Sequence, residues 1–354
     1  MKIVLTGIRM FMIALVFLFG LDFAFAQGVH AKQPQKTPSK VDKVSLRLRW
    51  LTQSQFAGIY WAQEKGIFKK EGLDVTINPG GPGINFMQIV GSGAEDFGIC
   101  SAPQVIETRE KGMPTVAVAV VFQRNPVIFF AKTQSGIKEP KDWVGKSVMV
   151  AYGYEQEYVY RALLAKCGID PKSVTEAPAT IDMTPFFRDE TNVWSGYVIN
   201  QPNTAEEKGF TITRIFPEDY GIFMSGDTLF TTEKMIKEKP EVVQRMVNAF
   251  LTGWLGALGN EEEAVQIVLN MDQKLNKVHE TKMMEWVKKL TLTDEIGGKV
   301  GWMTEKQWQN MIDLWKEYGS VKKDIKPAEC FDMRFVEAYY KKQGLLKEHQ
   351  SGKP

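Results

Sequence analysis

The chain has 354 residues, 44% of them hydrophobic and 24% charged, with a formal net charge of +2. That length and apolar content suit one large domain or two modest ones around a sizeable core. A balance so close to neutral gives no support for a nucleic-acid partner.

Lys2 and Arg9 precede the apolar run Met10 to Phe19, and Ala24-Phe25-Ala26 forms an A-x-A cleavage site before Gln27. This three-part layout predicts a secretory signal peptide over residues 1–26. The run is short for a membrane span, and Asp22 interrupts its end. Gln27, not a cysteine, stands directly after the cleavage site, so a lipid anchor has no attachment point there. The expectation is a soluble, periplasmic protein. Residues 27–43, with Pro34 and Pro38 among polar neighbours, predict a flexible leader.

Apolar and polar residues alternate from Val44 to Trp50, which is strand periodicity. Gln55 to Lys65 predicts a helix closed by Gly66, and Leu73 to Ile77 a second strand. A helix over Ile84 to Gly91, a strand over Glu95 to Ile99 and a helix over Pro103 to Lys111 follow. Thr115 to Phe122, Val127 to Ala131 and Ser147 to Ala151 are strand-like, and a helix runs from about Glu157 to Lys166. Val193 to Ile199 and Ile212 to Phe216 complete the strand candidates. Strands alternating with helices predict an α/β fold of parallel or mixed sheets covered by helices. From Lys239 the chain turns mainly helical: Pro240 suits a first helical position, and Thr304 with Gln307 fits a capping box.

Catalytic signals are scarce. The three histidines, His30, His279 and His349, are far apart, which speaks against a histidine-based triad or metal site. Cys100, Cys167 and Cys330 show neither a metal signature nor a CxxC pair. One disulfide is open in an oxidising compartment, and buried free thiols are expected for Cys100 and Cys167. Gly80-Gly81-Pro82-Gly83 lacks the Lys-Ser/Thr of a phosphate loop and reads as a turn. The pair Glu155 and Glu157 reads equally as acid/base chemistry and as a solvated helix start.

Aromatic and amide residues cluster at strand-to-helix junctions. Trp50 ends the first strand, and Gln53, Gln55 and Phe56 open the next helix. Tyr152-Gly153-Tyr154-Glu155-Gln156-Glu157-Tyr158 follows the strand at Ser147 in the same way. In open α/β sheets ligands gather at the carboxyl ends of strands. Rings for stacking, with Gln and Glu for directional hydrogen bonds, suit a flat heterocycle with polar edges.

Several blocks in order resemble one periplasmic family. They are Trp50-Leu51-Thr52, Ala57 to Ala62, Lys65-Gly66-Ile67-Phe68-Lys69-Lys70-Glu71-Gly72-Leu73-Asp74-Val75, Ala94 to Ile99, Lys111 to Pro114, Asp142 to Val148, Gly196 to Pro202, and Asp219-Tyr220-Gly221. The family is the ABC-importer binding proteins for thiamine pyrimidine precursors (thiamine pyrimidine synthase-like), with relatives for sulfonates, nitrate and riboflavin. The likeness spans about residues 44–270. It implies a two-lobed periplasmic binding protein of type II, a Venus flytrap with two hinge crossovers and a helical C-terminal part. Lobe one would be 44–131 plus 223–354, and lobe two 132–222.

By the same resemblance, ligand contacts fall on Trp50, Gln53, Gln55, Phe56, Ser101, Gly153, Tyr154, Glu155, Glu157, Tyr197, Asn200 and Tyr220. Trp50 would stack, Glu155 or Glu157 would accept N–H donors, and Asn200 would read the remaining edge. Two departures lie near the second-lobe wall: Gln201 stands where relatives carry Glu, and a small Gly-x-Val-Asp-Ala run is missing around Phe187 to Asn192. The resemblance implies a solute-binding protein that hands a flat heterocycle, foremost a thiamine pyrimidine precursor, to an importer permease with its ATPase. Riboflavin, a sulfonate or nitrate are alternative ligands, and a soluble sensor docking on a membrane receptor is an alternative role. Fungal synthases of this superfamily use a histidine and a Cys-rich motif that this chain lacks, so the expectation is a non-enzyme. A monomer without cofactor, metal or nucleic acid is expected.

Overall fold

The computed structural model describes residues 41–318 and 321–346. The expected signal peptide, the leader up to residue 40, His30 and His349 lie outside the described residues. Ten strands appear there: β1 (Asp42–Arg47), β2 (Leu73–Asn78), β3 (Phe97–Ser101), β4 (Thr115–Val120), β5 (Val127–Lys132), β6 (Ser147–Val150), β7 (Thr175–Pro178), β8 (Val193–Tyr197), β9 (Ile212–Ile215) and β10 (Asp227–Thr232). The helices are α1 (Ala57–Glu64), α2 (Ile67–Lys70), α3 (Phe86–Gly91), α4 (Ala102–Glu110), α5 (Glu155–Lys166), α6 (Thr184–Phe187), α7 (Gln201–Glu207), α8 (Glu233–Glu238), α9 (Pro240–Gly259), α10 (Glu261–Met271), α11 (Lys277–Thr291), α12 (Glu305–Glu317), α13 (Pro327–Cys330) and α14 (Arg334–Lys342).

The strands make two five-stranded sheets, ordered β2-β1-β3-β10-β4 and β7-β6-β8-β5-β9. In the first, β1 runs parallel to β2 and β3, and β10 inserts antiparallel between β3 and β4. In the second, β6 runs parallel to β7 and β8, while β5 is antiparallel to β8 and β9. β4, β5 and β10 are buried at every residue, as expected of strands covered on both faces.

The chain leaves the first sheet after β4, crosses at residues 121–126, builds the second sheet, and returns at 216–226. The lobe boundary expected from the sequence places Val127 to Ala131 with the first lobe. β5 instead pairs with β8 and β9, because its ladder partners all belong to the intervening segment. The first crossing therefore lies before β5. The expected leader also overlaps β1, whose Asp42 and Lys43 already pair with Leu73 and Asp74.

Helix packing explains two glycines. α1 lies tight against α9: a Cβ on Gly253 would fall 2.3 Å from the Gly58 carbonyl oxygen, and one on Gly58 would fall 2.3 Å from the Trp254 ring. Over the second sheet, α5 is held by a ring group, with Phe129 5.0 Å from Trp143 and Trp143 stacked on Tyr160 at 5.9 Å. All three cysteines are free thiols. Cys100 and Cys330 are buried, but Cys167 is only partly so.

Candidate functional site

Several strand ends of both sheets converge on one side chain, Arg49, two residues past the end of β1. Its Nη2 donates to Glu155 Oε1 at 3.0 Å and its Nη1 to Asp227 Oδ1 at 3.3 Å. Glu155 opens α5 just beyond β6, and Asp227 opens β10. The guanidinium lies 5.8 Å from the Phe86 ring centre and 5.4 Å from that of Tyr197, within cation–π range. Arg49, Gln55, Glu155 and Asp227 are each 5% exposed or less, so these charges interact with little screening by water.

Amides and a phenol complete the cluster. Gln55 Nε2 donates to Asp227 Oδ2 at 2.8 Å, and Gln53 Nε2 to Gln55 Oε1 at 2.6 Å. Asn125, on the first crossing, donates from Nδ2 to Glu155 Oε2 at 3.2 Å, and the Tyr197 hydroxyl donates to Glu155 Oε1. With both carboxylates ionised, one guanidinium faces two negative charges. Burial pushes the Asp227 carboxyl up to about 6, against the pull of Arg49 and of the Gln55 hydrogen bond. Burial opposes the charge on Arg49, but Glu155 and Asp227 outweigh it and its pKa rises. The Cys100 thiol beneath is pushed well up by burial and is a poor nucleophile.

The structure brings Gln53, Gln55, Glu155 and Tyr197 together from the expected set. Ser101 is adjacent through the backbone, since it pairs in register with Asp227, but its hydroxyl and N–H both donate to Gln104 in a capping box. Phe56 is fully buried in the main apolar core, and half-buried Trp50 packs against that core. Gly153 makes the turn before α5 at φ +78°, and Tyr154 caps the helix without a side-chain bond. Glu157 accepts from the Gly153 N–H at 2.9 Å and lies 3.9 Å from Arg161, so it anchors the helix start. Asn200 faces His279 instead. Tyr220 lies by the far end of α5, where the neighbouring Gly221 adjoins Lys166. That end is about 16 Å from Glu155 at 1.5 Å per residue.

Sequence reasoning missed Arg49, Asn125, Asp227 and Phe86. Arg49 carried a faint signal, as a cation just after a strand whose Leu46 and Leu48 face the core. Asp227 carried none, because β10 itself was not foreseen. A cavity of about 810 Å³ adjoins the two crossings and the start of α12, and shares only Asn125 with the charge cluster. Among the described residues, no helix is long and apolar enough to cross a membrane.

Residues 53–264 match the family described as NMT1/THI5 like. The chain is 24% identical over 324 residues to the riboflavin-binding protein RibY of Chloroflexus aurantiacus, covering 86% of this chain and 89% of that protein. It is 25% identical over 306 residues to the formylaminopyrimidine-binding protein of Halalkalibacterium halodurans, covering 82% and 90%. Among solved structures, the periplasmic sulfonate-binding protein SsuA of Methylobacillus flagellatus superposes with a TM-score of 0.67 at 14% identity, covering 86% of this chain and 96% of that one. The two-sheet architecture is thus that of periplasmic binding proteins.

Proposed function

We propose a solute-binding function for this chain, which belongs to the NMT1/THI5 like family: it captures a flat, nitrogen-rich heterocycle, foremost a thiamine pyrimidine precursor, and delivers it to a membrane importer. In this reading the two sheets are the cores of two lobes. Lobe one takes the first sheet with residues 227–346, and lobe two takes residues 127–215. The segments 121–126 and 216–226 form the hinge, and ligand favours the closed arrangement. The protein works outside the cytoplasm after export by the expected signal peptide.

The observation that carries the ligand class is the sign of the buried charge. Two carboxylates share one guanidinium where the lobes meet. Such a site favours N–H donors and cations and repels a nitrate or a sulfonate, which would bring further negative charge into a poorly screened space. An aminopyrimidine presents N–H donors beside ring acceptors. Glu155 and Asp227 can accept the donors, while Gln53, Gln55 and Asn125 can serve either kind of edge. The relative named for formylaminopyrimidine supports this choice, and the one named for riboflavin keeps a larger heterocycle as second candidate.

A thermal-shift and calorimetric panel of 4-amino-5-hydroxymethyl-2-methylpyrimidine, formylaminopyrimidine, riboflavin, an alkanesulfonate and nitrate tests the reading. A ligand bound only by the native state raises the melting temperature. The expected result is saturable binding of a pyrimidine and none of the two anions. Binding of nitrate or sulfonate alone would overturn it.

A further inference from the structure

We propose that Arg49 is a tethered stand-in for the ligand, so that a solute with a flat amidine-like edge binds by displacing its guanidinium from Asp227 and Glu155. The inference rests on the solute-binding reading of this site. A guanidinium is a planar, delocalised cation with N–H groups along its edges and apolar faces. Here the edges are held by Asp227 and Glu155, and the central carbon lies 5.8 Å from the Phe86 ring centre and 5.4 Å from that of Tyr197. Asp227 and Phe86 belong to the first-sheet side, Glu155 and Tyr197 to the second. Arg49 thus does what a bound solute does in a hinged receptor: it joins the opposing walls with both charge and ring contacts.

Two further observations favour displacement over a fixed ligand contact. First, the guanidinium is already matched by two carboxylates, so it has no surplus charge to offer an anionic group. Second, Arg49 lies past the end of β1, where the Leu48 N–H and the Trp50 carbonyl hold the backbone to Asn78 and Gly80, so displacement needs only the side chain to move. Its side chain can swing outward without breaking a strand. The ligand class that follows is a small planar cation or neutral amidine: a guanidine, an amidinium, or an aminopyrimidine whose ring nitrogen and exocyclic amine form the same N–C–N edge.

The test uses methylguanidinium and acetamidinium as probes at low millimolar concentration and matched ionic strength. Calorimetry on the wild type, Arg49→Ala and Arg49→Gln should show the probes binding the variants about tenfold or more tightly than the wild type, or about 1.4 kcal/mol. The pyrimidine of the panel should bind the variants at least as tightly as the wild type. Weaker pyrimidine binding in both variants, or no probe binding to a folded variant, would overturn the inference. Arg49→Ala leaves two buried carboxylates unpaired and can fail to fold; Arg49→Gln keeps an N–H donor for them. Independently, the Arg49 Nε–H resonance of the wild type, followed by 15N NMR, should move to a solvent-exchanging position at saturating acetamidinium. An unmoved resonance at saturation would overturn displacement without any variant. The simple cations read Arg49 whether or not a heterocycle binds: an inert panel with the wild-type Nε–H resonance moved by acetamidinium sinks the heterocycle reading and leaves displacement standing.

Discussion

Asn200 Oδ1 lies 3.0 Å from His279 Nε2, a contact that ties the start of α7, on the second-sheet side, to α11. His279 Nδ1 also lies 3.2 Å from the Glu207 carboxylate at the end of α7. The two side chains sit 79 positions apart in the chain, on helices that belong with different sheets. This second bridge between the two halves is separate from the Arg49 cluster.

Replacing His279 by Ala should weaken the closed arrangement. The variant loses two polar contacts, to Asn200 and to Glu207, together worth about 1–2 kcal/mol, or about fivefold to thirtyfold in a closed-to-open ratio. Small-angle scattering of the free protein should give a larger radius of gyration for the variant than for the wild type. Equal radii would show that the bridge does not govern closure.

Glu155→Gln should separate binding from folding. Arg49, Asn125 and Tyr197 all converge on the Glu155 carboxylate. Its loss leaves Arg49 matched by Asp227 alone, one positive against one negative, so the buried charge is balanced rather than orphaned. Pyrimidine affinity should fall about tenfold, less than the full worth of a charge-assisted bond of about 1.5–3 kcal/mol, because the competing Arg49 loses the same bond. Melting curves recorded beside calorimetry check that stability changes less than affinity does.

Stability should fall as pH rises from about 4 to 7. Glu107, partly buried on α4, has its carboxyl pushed up to about 7, chiefly by burial, although the Trp315 Nε1–H donates to it at 3.0 Å. Asp227 is raised to about 6 for the same chief reason. Between its unfolded and folded values each group holds more proton when folded, so the folded state loses ground as pH climbs through that window. Above about 7 both contributions are spent. Glu107→Gln cannot ionise yet still offers Trp315 an oxygen, so its melting temperature should depend less on pH and exceed that of the wild type at pH 8. A wild-type curve that rises from pH 5 to 7, and rises equally in the variant, would refute the assignment.

Gly253→Ala should cost about 1–3 kcal/mol, the usual penalty for overpacking. The added methyl would meet the Gly58 carbonyl oxygen at 2.3 Å, and backbone cannot step aside as a side-chain end can. Chemical denaturation should show a lower midpoint at unchanged slope.

Much of the fold was legible because local pattern and tertiary role agree. Val127 to Ala131 is a wholly apolar run and becomes a wholly buried strand. Thr304 and Gln307 form the capping box their spacing suggests. β7 (Thr175-Glu176-Ala177-Pro178) escaped notice as a short edge strand ending in Pro. β10 escaped because Asp227, Thr228, Thr231 and Thr232 break any apolar signal, yet all six of its residues are buried. Its polar atoms are satisfied by partners such as Arg49, Gln55 and the Asp96 carbonyl, remote in sequence. Glu155 and Glu157 looked alike in the chain. Two positions on a helix differ by about 200° in direction, which sends Glu155 inward and leaves Glu157 at the rim. Asp227 gives Arg49 its role, and only the assembled sheet brings the two together.

The placement of β10 also sets an order of assembly. The second sheet draws all its strands from one uninterrupted stretch, residues 127–215. The first cannot join β3 to β4 until Asp227–Thr232 arrives, and α1 lacks its main packing partner until α9 follows. A nascent chain shorter than about 230 residues therefore holds β3 and β4 with unfilled ladder edges, a state open to mispairing with other chains. Non-local closure of this kind is slow. β3 and β4 thus lock only once a segment made much later in the chain has joined them.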